Sequence, residues 1–163
     1  VPYTGMIIST RESQKSREKA LQLGISQISG ASSTSVGGYV EKETDENNTA
    51  QFDRSDTRTL DEVLNWLLEL GYIPSFCTAC YRQGRTGDRF MPLAKSGAIQ
   101  NCCQPNALLT LKEYLEDYAS KDTKIKGDKV IAAEVKKIPN DKVRETTIDY
   151  LDKIVHGSRD FRF

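Results

Sequence analysis

Short apolar runs and one amphipathic stretch alternate over the first thirty residues. Residues 6–8 and 25–28 are rich in Ile and Met and read as short strands. The stretch between them predicts a helix that Thr10 or Ser13 can cap and that Gly24 can stop. Strand, helix and strand in this order predict a parallel βαβ unit with buried strands, as in an α/β sheet or barrel.

Two strands alone do not form a stable sheet that carries helices. The sequence also opens directly on the strand-like run at Val1, without an initiator Met or a signal peptide. We therefore expect a fragment whose first half lies elsewhere, with a strand-like mature N-terminus as the alternative.

Residues 31–57 change character, being first small and polar and then rich in Asp, Glu, Asn and Thr. This composition predicts a long loop and marks a domain boundary. The predicted organisation is residues 1–40, a linker over 41–58, and a helical domain over 59–163.

From Thr59 onward the apolar positions follow a helical period. Thr59 and Glu62 form a capping box, and the helix that they start is expected to end at Gly71. A second capping box at Thr110 and Glu113 predicts another helix start. Two more helices are expected over about 128–138 and 141–155.

Composition excludes several classes of protein. The 23 basic and 23 acidic residues balance, which gives no electrostatic footprint for nucleic acid or an anionic membrane. No apolar run is long enough to span a bilayer. Four cysteines in a long charged chain do not resemble a disulfide scaffold, so a cytoplasmic, reducing location is expected.

The cysteines carry the candidate chemistry. Cys77 and Cys80 are separated by two residues, and Cys102 and Cys103 follow as an adjacent pair. A redox dithiol explains only the first pair. A structural zinc site needs four ligands around one ion, and adjacent cysteines rarely bind the same ion because neighbouring side chains usually diverge. Buried structural thiols are the simplest alternative, favoured for Cys102 alone.

An iron–sulfur cluster fits the spacing best, because clusters take thiolate ligands and three of them leave one iron open. Arg82 and Arg85 lie close by and can offset the negative charge of such a cluster or bind a carboxylate. Both can equally be surface arginines of a loop. The single histidine, His156, is far away at a helix end and is not expected to be a ligand.

A resemblance to a known family adds to this reading. Residues 71–82 with Cys77-Thr-Ala-Cys80, the Gly-Arg-Thr-Gly-Asp run at 84–88 and residues 104–118 resemble the HydG family of FeFe-hydrogenase maturases. These are radical S-adenosylmethionine (SAM) tyrosine lyases. The family's auxiliary-cluster motif is Cys-x2-Cys-x22-Cys, and 22 residues separate Cys80 from Cys103. The resemblance thus selects Cys77, Cys80 and Cys103 as ligands and leaves Cys102 without a role.

The resemblance implies an α/β fold class. Residues 1–40 would be the last βαβ segment of a radical-SAM (βα)8 TIM-type barrel, and residues 59–163 a mostly helical auxiliary-cluster domain. Catalytic groups of such barrels lie at the carboxyl ends of the strands. Ser9, Thr10 and Arg11 lie there, and Arg11 is the candidate for binding a carboxylate of tyrosine or SAM.

The activity implied by the resemblance is cleavage of tyrosine to p-cresol, carbon monoxide and cyanide. An auxiliary 4Fe-4S cluster with an additional iron would bind the carbon monoxide and the cyanide, with free cysteine as a further ligand of that iron. Other hydrogenase maturation proteins would be its partners. The radical-generating Cys-x3-Cys-x2-Cys motif is absent from these residues. SAM and a second 4Fe-4S cluster are therefore expected in a missing N-terminal half. The alternative is a zinc- or cluster-stabilised helical binding module without enzymatic activity.

Overall fold

The computed structural model describes residues 5–34 and 54–163. These fall into two units, Val1–Val63 and Leu64–Phe163. Most of the predicted linker over 41–58 lies outside the described residues, as do the strand-like residues before Gly5. No helix in the described part of the chain is long and apolar enough to cross a membrane.

A parallel βαβ unit forms the start of the first unit. Strand β1 (Ile7–Ile8) pairs with β2 (Gln27–Ile28), and helix α1 (Gln14–Gln22) connects them. Ser13 caps α1, because its Oγ accepts a hydrogen bond from the Ser16 N–H at 3.2 Å. Gly24 adopts a φ of +100° just after the helix, a conformation that favours glycine. The predicted order of elements is therefore confirmed.

The prediction that the first strand is buried is wrong within this chain. Ile7 is 65% exposed, and only one of the two residues of β1 is partly covered. Among the residues that the structure describes, β2 is the only strand that pairs with β1. Within this part of the chain, the other edge of β1 therefore has no strand beside it. The described chain is mostly helical with this small sheet.

Six further α-helices follow the βαβ unit in the part of the chain that the structure describes. They are α2 (Leu60–Glu69), α3 (Ala79–Arg82), α4 (Met91–Lys95), α5 (Cys103–Asp117), α6 (Lys121–Glu134) and α7 (Asp141–Val155). The capping box at the start of α2 is confirmed: the Thr59 N–H donates to Glu62 Oε2 at 2.7 Å, and the Glu62 N–H donates to Thr59 Oγ1 at 3.3 Å.

The second predicted capping box is wrong. Thr110 lies inside α5, where its hydroxyl donates to the Asn106 carbonyl at 2.9 Å instead of capping a helix start. The apolar stripe of α5 begins earlier, with Leu108 and Leu109 fully buried, and so the helix continues through Thr110.

The third predicted helix begins too late. Helix α6 starts at Lys121, seven residues before the predicted Asp128, because Ser120 caps it by accepting from the Thr123 N–H. The fourth predicted helix agrees with α7. Short helices between 79 and 101 were also not predicted, since that region lacks a sustained apolar period.

Helix α5 is the centre of the second unit. It packs against both α6 and α7. Its leucines are buried, as are Ile131 of α6 and Ile154 of α7. Two of the four cysteines, Cys102 and Cys103, lie at the start of this helix, so the packing of α5 holds their backbone in place.

Candidate metal centre

All four cysteines of the second unit have free thiols, and the other three lie close enough to Cys103 to act electrostatically on its thiol. Cys77 precedes α3, Cys80 lies within α3, Cys102 occupies the cap position of α5, and Cys103 is the first residue of α5. Only Cys103 is exposed, and the other three are partly buried.

The loop before Cys77 is held against α5. The Phe76 ring stacks on the Tyr114 ring with centroids 5.4 Å apart. The Phe76 N–H also donates to Thr110 Oγ1 at 3.2 Å. These contacts hold the start of the Cys-x-x-Cys segment against α5, the helix that begins at Cys103. The Thr110 hydroxyl, inside α5, accepts one of the hydrogen bonds that hold it.

The pKa of the Cys103 thiol responds to the charges around it. Partial loss of hydration raises the pKa of the Cys103 thiol, and negative charge on Cys80, Cys77 and Cys102 raises it further, whereas Arg85 opposes the shift. A bound metal or cluster is the ordinary means of keeping several neighbouring thiolates deprotonated.

The four sulfurs do not converge on one point. In the described part of the chain, no three Cys, His, Asp or Glu side chains are grouped closely enough to hold a single metal ion. In a four-iron cluster each thiolate binds a different iron, so the ligands stand farther apart than around one ion. The fit to a cluster therefore rests on the chemistry of the donors, since the free thiols are of the type that iron–sulfur clusters take as ligands.

Two local donors add to this fit. The Ala79 N–H donates to Cys77 Sγ at 3.4 Å, an interaction that stabilises a thiolate. The Nε of Arg85 is buried and has no hydrogen-bond partner among the described residues. Buried donors are nearly always satisfied, so a group bound beside Cys103 would give this one a partner.

The two predicted cluster arginines differ in their surroundings. Arg82 forms a bidentate ion pair with Asp160 and is half exposed. Arg85 donates from Nη2 to the Phe163 backbone oxygen at 2.8 Å and acts on the Cys103 thiol. The structure thus places Arg85 beside the cysteines and ties Arg82 to the 159–163 segment.

The predicted carboxylate-binding residues lie in the first unit, at the carboxyl end of β1. The Arg11 N–H donates to Ser9 Oγ at 3.2 Å, Thr10 is 5% exposed, and Arg11 itself is exposed. The end of β2 lies alongside, because the Ser29 N–H donates to the Ile8 carbonyl at 3.0 Å. The strand ends thus form one continuous edge.

A cluster of charged side chains, Arg17, Asp56 and Arg58, lies next to the two strand ends and was not predicted from the sequence. Arg17, fully buried, forms an ion pair with Asp56 and also donates to the Ser29 carbonyl. The N–H of Asp56 donates to the Thr10 carbonyl at 3.0 Å. Asp56 therefore connects the ends of both strands, and the distance of 39 positions between Arg17 and Asp56 left no local pattern to reveal the pair.

Hydrogen bonds from Arg58, opposed by burial and aided by Arg17, lower the pKa of Asp56 to about 2. Arg58 donates from Nε and Nη2 to the two Asp56 oxygens, at 2.9 and 2.6 Å. The Asp56 carboxylate thus forms ion pairs with two guanidinium groups, those of Arg17 and Arg58.

Comparison with known proteins identifies similarities over the first 73 residues and over the whole chain. Residues 1–73 match the family model described as the Biotin and Thiamin Synthesis associated domain. A search of curated proteins found no match. The chain is similar to a solved structure described as "Crystal structure of HydG: A maturase of the [FeFe]-hydrogenase", with 54% identity and a TM-score of 0.90.

That similarity covers 100% of this chain and 35% of the HydG chain, so the chain spans about a third of the length of the protein it matches. The resemblance inferred from residues 71–82, 84–88 and 104–118 is therefore confirmed: over its whole length this chain is a relative of the HydG maturase of [FeFe]-hydrogenase.

Proposed function

We propose that this chain is the auxiliary-cluster part of a radical SAM tyrosine lyase that matures FeFe-hydrogenase. The observation that carries the proposal is the gathering of Cys77, Cys80 and Cys103 in the second unit, where the Cys103 thiol lies close enough to the other two for their charge to raise its pKa. Whole-chain similarity to a hydrogenase maturase supports the same reading.

Cys77, Cys80 and Cys103 would hold the cluster. When bound, a 4Fe-4S cluster with three protein thiolates supplies one iron open to an additional iron that takes up carbon monoxide and cyanide. Arg85 offsets negative charge next to Cys103, and the Ala79 N–H stabilises the Cys77 thiolate. Cys102, at the cap position of α5, is not assigned as a ligand.

The βαβ unit would belong to the (βα)8 barrel in which SAM and tyrosine react. Its strand-end residues Ser9, Thr10 and Arg11 are proposed to bind the substrate carboxylate. Arg11 is exposed at this edge, and a guanidinium binds a carboxylate through two parallel hydrogen bonds.

Metal analysis of anaerobically purified and reconstituted protein tests the cluster. We expect about four iron and four sulfide per chain, or slightly more iron if the additional iron is retained. One zinc per chain without sulfide would contradict the proposal and favour a zinc-stabilised helical module.

Steady-state kinetics of the complete enzyme tests the substrate site. Arg11→Gln should raise the KM for tyrosine or SAM by about tenfold or more, since a hydrogen bond to a charged group contributes about 1.5–3 kcal/mol. Lys15→Gln, an exposed cation on α1, serves as the control and should leave both constants unchanged. Equal, small effects of the two variants would remove Arg11 from the site.

A further inference from the structure

The 159–163 segment is attached to the helices of the second unit at several points. Arg159 forms an ion pair with Asp117 near the end of α5, with Nε 2.9 Å from Oδ2. The Asp160 N–H donates to Glu113 Oε1 at 2.6 Å. The Phe161 ring stacks on Tyr150 of α7, with centroids 4.3 Å apart. The segment is therefore docked rather than frayed.

The backbone of Phe163 joins two parts of the chain that carry cysteines. Its N–H donates to Asn106 Oδ1 at 2.9 Å, and its oxygen accepts from Asn106 Nδ2 at 3.3 Å. The same oxygen accepts from Arg85 Nη2 at 2.8 Å. One backbone oxygen thus receives one hydrogen bond from α5 and one from the loop after α3.

Both donors are coupled directly to cysteine residues. Asn106, 3% exposed, follows Cys103 by three residues, and its N–H donates to the Cys102 carbonyl at 3.0 Å. The Arg85 N–H donates to the Cys80 carbonyl at 2.8 Å. The link through Phe163 therefore connects the backbone at Cys80 to the backbone at Cys102 and Cys103.

A second, more exposed link runs in parallel. Arg82 follows Cys80 by two residues and pairs with both carboxylate oxygens of Asp160. The side chains of this pair are 46% and 61% exposed, so it contributes less than the buried Asn106 contacts. Both links join the Cys-x-x-Cys segment to the same five residues.

We propose that the 159–163 segment closes the three-cysteine site by bridging the segment of Cys80 to the helix start of Cys103, with Asn106 as the positioning residue. The Phe163 backbone holds Asn106 and Arg85 together, and their backbone N–H groups in turn donate to the Cys102 and Cys80 carbonyls. The inference rests on the proposed function for its ligand, but the spacing of Cys80 and Cys103 can be measured without metal.

Asn106→Leu removes both side-chain hydrogen bonds to Phe163 at nearly constant size. Asn65→Leu is the matched control, because Asn65 Nδ2 donates to Asp122 Oδ2 at 2.8 Å, away from the cysteines. Asp160→Asn, at an exposed position, supplies a third variant that weakens the pair with Arg82 and, within the segment itself, the pair with Arg162.

The metal-free chain is treated with dibromobimane, which bridges neighbouring thiols, and bridged peptides are quantified by mass spectrometry. We expect the Cys80–Cys103 product to fall several-fold in Asn106→Leu, less in Asp160→Asn, and not in Asn65→Leu. In reconstituted protein, iron loss to a chelator should be about tenfold faster in Asn106→Leu, as expected for two lost hydrogen bonds. Circular dichroism melting of each variant separates loss of closure from general unfolding.

Equal cross-linking and equal iron loss in Asn106→Leu, Asp160→Asn and Asn65→Leu would overturn the proposal. If Asn106→Leu does not fold, unchanged cross-linking and iron loss in Asp160→Asn overturn it in the same way. A wild-type chain that shows the expected cross-links but takes up no iron would support the bridge while contradicting the proposed function.

Discussion

Asp56 is the residue whose loss should most affect the first unit. Its side chain is 2% exposed and faces the fully buried Arg17 and the partly exposed Arg58. In Asp56→Asn the shape is kept and the negative charge is lost, so the buried Arg17 guanidinium loses its ion pair with this carboxylate. The backbone link from Asp56 to Thr10 is not removed by this change.

The expected magnitude follows from the pKa of Asp56. A fall from 3.8 to about 2 corresponds to about 2 kcal/mol of stabilisation by the ionised form, at about 1.4 kcal/mol per pH unit. Breaking a buried pair by removing one partner costs about 3–5 kcal/mol, because the remaining charge is uncompensated. Burial already lowers the pKa of Arg17 despite its partner. We expect a loss of about 2–4 kcal/mol.

Native-state hydrogen exchange, resolved by peptide, is the assay because the two units need not unfold together. Amides of α1 and β2 should exchange at least tenfold faster in Asp56→Asn, while those of α5 should not change. Asp149→Asn removes the exposed ion pair with Lys153 and should cost less than about 1 kcal/mol. Exchange in Asp56→Asn that matches this control would refute the reasoning.

The pH dependence gives a second readout of the same carboxylate. The folded-state pKa is depressed, so the stabilisation is complete above about pH 3.8 and is lost as pH falls through about 2. The difference in stability between wild type and Asp56→Asn should therefore be constant near neutrality and shrink below pH 4. A difference that grows on acidification would contradict the assignment.

Two further substitutions test the helical packing. Gly127→Ala should destabilise the second unit by about 1–3 kcal/mol despite its better helix propensity, because a Cβ there would lie 2.4 Å from Leu115 Cδ1. Urea denaturation checks this, and the cost of Gly127→Ala should be smaller when it is measured in a Leu115→Ala background, where the clash is absent. Thr59→Ala should cost about 1 kcal/mol by removing the cap of α2, whereas Thr57→Ala, also exposed, should be neutral in the same titration.

Local signals in the sequence predicted the elements whose ends are set locally. Thr59 and Glu62 lie on one helical turn and bond to each other, and Gly24 adopts the positive φ that ends α1. In α7 the cap residue and the apolar stripe predict the same helix bounds. The same type of signal failed at Thr110, where burial of the preceding leucines in tertiary structure overrode it.

The candidate site was predictable only in part, for the same reason. The cysteine spacing is a local pattern, and the structure brings Cys77 and Cys80 close enough to Cys103 to act on its thiol. The contacts that hold them are not local: Asn106 meets Phe163 across 57 positions, and Arg85 meets it across 78. No periodicity or motif relates such positions, so these residues appear only once the helices are packed.

The central claim is that Cys77, Cys80 and Cys103 bind a cluster and that Cys102 does not. Its most direct test is iron and sulfide content, with electron paramagnetic resonance of the reduced state, for anaerobically reconstituted Cys103→Ala and Cys102→Ala. The account predicts that Cys103→Ala loses the auxiliary-cluster signal and most of the iron, while Cys102→Ala keeps both. Loss of the cluster in Cys102→Ala with retention in Cys103→Ala would contradict it.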